Sequence, residues 1–275
     1  MSQFGCEIDY RVALQTAIKA CRLGREVLLH YFGKLSQVEE KFQAGLVSEA
    51  DRESERVIWS HLKQHYPHSE FLGEESSFEQ GWDANSVGGV GGRWILDPLD
   101  GTTNYVHGYN VFCISLALEV DGDLKLGVVD VPLLGETFTA MKGHGAFRNG
   151  RRISVSRTAE LNKALLATGF FADEGLEDQL KIFSRLVRRT RGIRRPGAAA
   201  YDLCMVAAGV FDAFWESNLK PWDSAAGVVL VREAGGQVLD YKGETYTPYK
   251  KTLVASNPLL APALLTELRS SLSSQ

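Results

Sequence analysis

The stretch that most limits what this chain can fold into is Trp94-Ile95-Leu96-Asp97-Pro98-Leu99-Asp100-Gly101-Thr102-Thr103-Asn104. Its apolar opening reads as a buried strand. The run ends at Asp97, and a proline follows at once, fixing φ and removing a backbone donor. A second aspartate stands at Asp100, and Gly101-Thr102-Thr103-Asn104 reads as the start of a helix or a tight loop. Carboxylates at the end of a buried strand suit an α/β fold, where functional side chains gather beyond the strand ends.

Three further carboxylates sit in comparable places. Glu74 and Glu75 follow Glu70-Phe71-Leu72-Gly73, and Asp223 precedes Ser224-Ala225-Ala226-Gly227-Val228-Val229. Taken singly, each has an ordinary explanation. An aspartate before a helix is an N-cap, worth about 1 kcal/mol, and Glu74 and Glu75 fit a solvated turn. Taken together, carboxylates converging on one cleft raise each other's pKa until a cation neutralises them. A hard divalent cation such as Mg²⁺ prefers oxygen ligands. Pro98 can hold a rigid turn that aims Asp97 and Asp100 at one point and leaves the Leu99 carbonyl exposed. Gly101 permits close backbone approach, the amides that follow suit a phosphate, and the Thr102 hydroxyl can orient a water. That combination describes metal-assisted phosphoryl transfer to water.

The remaining pattern mixes helices and strands. Residues 9–32 carry apolar positions at helical spacing (Val12, Ala13, Ala17, Ile18, Cys21, Leu28), and a second helix follows Ser48 and closes at Pro67. Residues 81–93 read as a glycine-rich loop without the Lys-Ser/Thr of a phosphate-binding P-loop. Residues 112–120 resume apolar structure and 120–156 turn to strands, with a hairpin at Asn149-Gly150, where both residues accept positive φ. The second half alternates: strands at 163–171, 211–216 and 237–241, and helices at 176–190, 199–210 and 224–236.

With 44% hydrophobic residues and 23% charged, the chain can bury a large core. Its net charge of −4 gives no global push towards nucleic acid or membrane. Cys6, Cys21, Cys113 and Cys204 are far apart, which suits buried thiols in a reducing compartment. No signal peptide or membrane span is evident, so a cytoplasmic location is expected.

Residues 94–108 resemble the first signature of the inositol monophosphatase family of lithium-sensitive, magnesium-dependent phosphatases, and residues 221–236 resemble its second. Leu72-Gly73-Glu74-Glu75-Ser76 is similar to the family's acidic loop, and 143–156 to its mid-chain hairpin. The resemblance implies an α/β fold, a layered α-β-α-β-α sandwich shared with fructose-1,6-bisphosphatase, in a chain that is usually dimeric. The expected halves are 1–149, with most metal ligands, and 150–275, with Asp223 and the substrate-side loop. It further implies two to three Mg²⁺ ions. Glu74, Asp97 and the Leu99 carbonyl would hold the first and Asp97, Asp100 and Asp223 the second. Glu74 would assist a third through waters, with Glu75 beside the cluster. Thr102, partnered by Asp51, would activate the attacking water, and Gly101, Thr102 and Thr103 would bind phosphate. Gly197, Ala198 and Ala199 would face the sugar side, and Glu216 would bind inositol hydroxyls.

The implied activity is Mg²⁺-dependent hydrolysis of a small polyol phosphate, foremost inositol monophosphate. Fructose 1,6-bisphosphate, histidinol phosphate and 3′-phosphoadenosine 5′-phosphate are alternatives. A regulatory member that binds RNA or protein is the rival outside enzymology, resting on Arg185, Arg188, Arg189, Arg191, Arg194 and Arg195; a solvated face or a dimer contact is the favoured reading of that run. The segment Ala44-Gly45-Leu46-Val47-Ser48 departs from the family, which often has an aspartate before it and a threonine at Ser48, and Lys41 is only a possible match to the upstream lysine. These changes bear on the third ion. His61 and His65, four apart, form half of a zinc pattern, and His107 reads as structural.

Overall fold

The computed structural model describes residues 8–41, 45–80, 91–172 and 175–272. Helix α1 (Tyr10–Tyr31) is capped by Asp9, whose carboxylate accepts from the Arg11 and Val12 amides. It buries Ala13, Ala17, Cys21 and Leu28. Val12 is 56% exposed. It stands about 100° round the helix from Ala13, outside the buried stripe to which the spacing assigned it. Strands β1 (Val38–Lys41) and β2 (Gly45–Ser48) pair antiparallel and lead into α2 (Glu49–His65). Strand β3 (Glu70–Gly73) runs directly into α3 (Glu74–Gln80). Glu74 and Glu75 therefore open a helix rather than a solvated turn. The glycine-rich segment at 81–90 lies outside the described residues, as do Cys6 and Ala44.

Strand β4 (Arg93–Asp100) is followed by α4 (Thr102–Val106) and an antiparallel meander: β5 (Cys113–Val120), β6 (Asp123–Val131), β7 (Glu136–Met141), β8 (Gly145–Arg148) and β9 (Arg151–Ile153). Asn149 and Gly150, with φ of 49° and 74°, make the expected tight hairpin. A second sheet takes β10 (Leu165–Thr168), β11 (Gly192–Arg194), β12 (Ala213–Ser217), β13 (Gln237–Leu239) and β14 (Thr252–Ser256), in the order β11-β10-β12-β14-β13. Helices α5 (Leu176–Leu186), α6 (Ala199–Ala207), α7 (Pro221–Glu233) and α8 (Ala261–Leu272) complete the chain.

The layers follow from which faces are apolar. Helices α1 and α2 cover the outer face of the seven-stranded sheet, and α5 and α8 that of the five-stranded sheet. Helices α6 and α7 lie between the sheets and touch both. Helix α7 is buried from Ser224 to Val231 without a polar stripe, the pattern of a helix enclosed on all sides. The result is the α-β-α-β-α sandwich.

One irregularity positions the site. On a regular strand, residues three apart face opposite sides. Asp97 pairs with Ser115 and Asp100 with Cys113, so three steps on β4 match two on β5. That extra residue is a β-bulge. Ile95 and Cys113 belong to the core between the sheets, while Leu96, Leu99 and Ile114 belong to the outer core. The bulge therefore turns both Asp97 and Asp100 towards α6 and α7. Proline is tolerated there because a bulge needs no ladder bond from its amide. Ser54 on α2 pins the bulge by donating to the Pro98 carbonyl at 3.0 Å. The strand thus continues past the proline, which the sequence pattern reads as its end.

Candidate metal and phosphate site

Asp97 and Asp100 on β4 meet Glu74 from the first turn of α3 and Asp223 from the first turn of α7. Local structure fixes each of them. Glu55 on α2 accepts from the Glu75 and Ser76 amides, both at 3.0 Å. It caps α3 in place of a residue of that helix and so locates Glu74 and the buried Glu75. Pro221 stands at the start of α7, where its missing amide costs nothing. Asp223 Oδ2 accepts from the Lys220 amide at 2.7 Å, while the Asp223 amide donates to the Lys220 carbonyl. Asp100 is not an N-cap: Gly101 occupies that position of α4.

Asp97 and Asp100 are buried and Asp223 is half-buried, and electrostatics shows their proximity. Burial pushes the Asp97 carboxyl well above its ordinary range, and Glu74, Asp100 and Asp223 push it further. Asp223 is raised by burial and then by Glu74. Asp100 is raised by burial, against the Ala200 amide and the Cys113 thiol, which favour its charged form. Each aspartate turns an oxygen to a backbone amide: Asp97 Oδ1 to Leu99 at 3.0 Å, Asp100 Oδ2 to Ala200 at 2.7 Å, and Asp223 to Lys220. So arranged, no three acidic, histidine or cysteine side chains among the described residues close to the spacing that encloses a metal ion. The donor set is nonetheless all oxygen, and its members repel one another. That chemistry fits a hard dication such as Mg²⁺, which Glu74, Asp97, the Leu99 carbonyl, Asp100 and Asp223 would hold.

Thr102 and Asp51 meet beside this cluster. Thr102 Oγ1 lies 3.0 Å from Asp51 Oδ1 and 3.0 Å from the Leu99 carbonyl. One hydroxyl proton therefore has two acceptors. Asp51 Oδ2 accepts from the Ser48 hydroxyl at 2.6 Å and the Ser48 amide at 2.8 Å. Serine supplies the same hydroxyl a threonine would. Burial first, then the nearby Glu74, pushes Asp51 up to about 6, against the Ser48 and Thr102 hydrogen bonds.

Gly101 has φ of 92°, and a Cβ there would stand 3.1 Å from the Val111 carbonyl and 3.3 Å from Ala198 Cβ. Only glycine lets the Gly101 turn lie this close to the Gly197–Ala199 segment. Asn104, which the sequence does not single out, ties the two together. Its Nδ2 donates to the Val111 carbonyl at 2.7 Å and the Pro196 carbonyl at 2.8 Å. Thr103 is exposed, whereas Ala198 and Ala199 are buried. Glu216, near the end of β12, is buried. Its carboxylate occupies the space over Gly169, where a Cβ would stand 2.2 Å from Oε2. Asp202 lies within electrostatic reach of both Glu216 and Asp100.

Other expectations fall outside this cluster. Arg185 Nε pairs with Glu267 of α8 at 2.6 Å, and Arg189 pairs with the same carboxylate. Part of the arginine run thus contacts α8, while Arg188, Arg189 and Arg191 remain exposed, as a solvated face requires. Arg195 donates to the Phe170 carbonyl at 3.0 Å. The His61 and His65 rings are 4.6 Å apart, and among the described residues no third ligand joins them. His107 is exposed at the end of α4, and Cys21, Cys113 and Cys204 are free and buried. No helix among the described residues is long and apolar enough to cross a membrane.

A family model described as the inositol monophosphatase family matches residues 9–273. The chain belongs to the inositol monophosphatase family. A Pseudomonas aeruginosa protein named Nus factor SuhB is 43% identical over 262 residues, covering 93% of this chain and 95% of its own. A Thermotoga maritima protein named fructose-1,6-bisphosphatase/inositol-1-monophosphatase is 39% identical over 249 residues, 90% of this chain and 92% of its own. The crystal structure of extragenic suppressor protein SuhB from Bartonella henselae matches with a TM-score of 0.86 at 38% identity, covering 94% of this chain and 98% of that one. Family membership supports phosphatase chemistry on a phosphorylated small molecule.

Proposed function

We propose that this chain hydrolyses a phosphate monoester of a small polyol, foremost inositol monophosphate, with two to three Mg²⁺ ions among Glu74, Asp97, the Leu99 carbonyl, Asp100 and Asp223. One observation carries the reading: mutually repelling carboxylates from three separate elements lie beside a threonine hydroxyl already bonded to a buried aspartate. When bound, the ions neutralise phosphate oxygens and lower the pKa of water.

The chain's own groups do the rest. Backbone amides of Gly101, Thr102 and Thr103 receive the phosphate. The Thr102 hydroxyl, turned towards Asp51, presents a lone pair to the attacking water. As that water attacks phosphorus in line with the leaving oxygen, its proton passes to Thr102 Oγ1 while the Thr102 proton moves to Asp51 Oδ1. Asp51 is ionised above about pH 6 and can accept it. Gly197, Ala198 and Ala199 border the leaving group, and Glu216 accepts from its hydroxyls.

A phosphate-release panel tests this reading. Inositol 1-phosphate, fructose 1,6-bisphosphate, histidinol phosphate and 3′-phosphoadenosine 5′-phosphate are compared with Mg²⁺, Ca²⁺ or Li⁺. The expected result is Mg²⁺-dependent release, fastest from inositol 1-phosphate and suppressed by Li⁺. No release from any ester refutes the reading. A second reading, a chain that binds RNA or protein, is favoured by the Nus-factor name of the Pseudomonas relative. Its test is RNA retardation or protein capture lost on charge reversal of the exposed Arg188 and Arg191 with phosphatase activity retained.

A further inference from the structure

Asp100 is held in an unusual way for a residue proposed to bind a cation. Its Oδ2 receives donors from two different elements, α6 and β5. The Ala200 amide, in the first turn of α6, approaches at 2.7 Å. The Cys113 thiol, on β5, approaches at 3.5 Å. Cys113 is the cross-strand partner of Asp100 at the bulge, so its side chain faces Asp100 by register rather than by chance rotamer. It is fully buried. Helix α6 has no capping side chain of its own at Ala198, so Asp100 also serves as its cap.

This geometry has a consequence for orientation. The Ala200 amide and the adjacent Ala199 amide both bond to this carboxylate from the start of α6, so together they tie it to one element only. The thiol, from β5, is the donor that ties it to a second element and so restrains the direction of Oδ1. Groups that orient ligands through such bonds are typically worth about 10- to 100-fold in metal affinity, and a thiol, as a weak donor, falls at or below the lower end.

We propose that Cys113 is a positioning residue for the metal site: its thiol, with the Ala200 amide, locks Asp100 in the orientation that receives a divalent cation. The inference rests on the reading of Asp100 as a metal ligand. It concerns the donor, not the bulk, of the side chain, and that distinction is testable.

Metal-free wild type, Cys113→Ala and Cys113→Ser are titrated with Mg²⁺ by calorimetry, and their thermal stabilities are recorded in chelator. Alanine removes the donor, and serine keeps one. The expected result is Mg²⁺ affinity about 3- to 10-fold weaker in C113A and within about 2-fold of wild type in C113S. This order holds even if C113S is the less stable fold, because a hydroxyl replaces sulfur among apolar neighbours. A role in packing alone would make affinity follow stability. The inference is overturned if C113A binds Mg²⁺ as tightly as wild type, or if C113S is as weak as C113A. If wild type itself takes up no Mg²⁺, the assignment of Asp100 as a ligand fails first, and the inference with it.

Discussion

Replacing Asp51 by asparagine separates the stability of this site from its chemistry. Asp51 is pushed from an ordinary 3.8 up to about 6, chiefly by burial. The difference, roughly two on the pKa scale, corresponds to about 3 kcal/mol. Because the folded protein binds this proton more tightly than the unfolded chain, the cost is absent below about pH 4. It grows as pH rises and is complete above about pH 6. Asparagine removes that cost at every pH. It also loses an acceptor: one amide oxygen cannot serve both Ser48 and Thr102, a loss of about 1–2 kcal/mol. In metal-free protein, D51N should therefore be less stable than wild type by about 1–2 kcal/mol near pH 4 and more stable by about 1–2 kcal/mol near pH 8. The asparagine NH₂ now donates to Thr102 Oγ1, reversing the hydrogen bond that prepares the water. Turnover should fall by about 10²-fold or more. Urea melts in chelator across this range, with phosphate release at each pH, measure both. A stability difference that does not change sign with pH refutes the burial argument, and near-normal turnover in D51N refutes the role of the Asp51–Thr102 pair.

Other perturbations follow from the same geometry. Asp97, Asp100 and Asp223 are raised by burial and by their neighbours, so a dication must displace their protons. Mg²⁺ should raise the melting temperature more near pH 8 than near pH 6, and an equal rise at both would contradict the repulsion argument. Gly169→Ala places a Cβ where the Glu216 carboxylate now lies. The variant should raise KM for inositol 1-phosphate about tenfold or more, the value of a hydrogen bond to a charged group, with kcat nearly unchanged. An unaltered KM would remove Glu216 from the substrate.

The fold was legible where periodicity and turn chemistry agreed. Asn149-Gly150 and the stripe of α1 are examples, and the two signatures carried the layered sandwich. Val12 shows the limit of spacing alone, since an apolar residue one position from a buried one can still face solvent. The strand through Pro98 was hidden because proline reads as a terminator, and a bulge exists only in the pairing of two strands. Strand β14 and helix α8 were missed, and with them Glu267, so the pairing of the partly exposed Arg185 and Arg189 with α8 went unread. In the site, the acidic residues stood out by type and position. Glu55, Asn104 and Cys113 did not, because they act through hydrogen bonds to partners distant in sequence, as from Glu55 to the start of α3. No local pattern encodes such a contact.

The most direct test of the central claim is anomalous diffraction from crystals soaked in Mn²⁺ as a substitute for Mg²⁺. The account predicts strong peaks bounded by Asp97, Asp100, Asp223 and the Leu99 carbonyl, with the carboxylates drawn together around them. Diffraction showing no peak there, with each aspartate still turned to its own backbone amide, would contradict it.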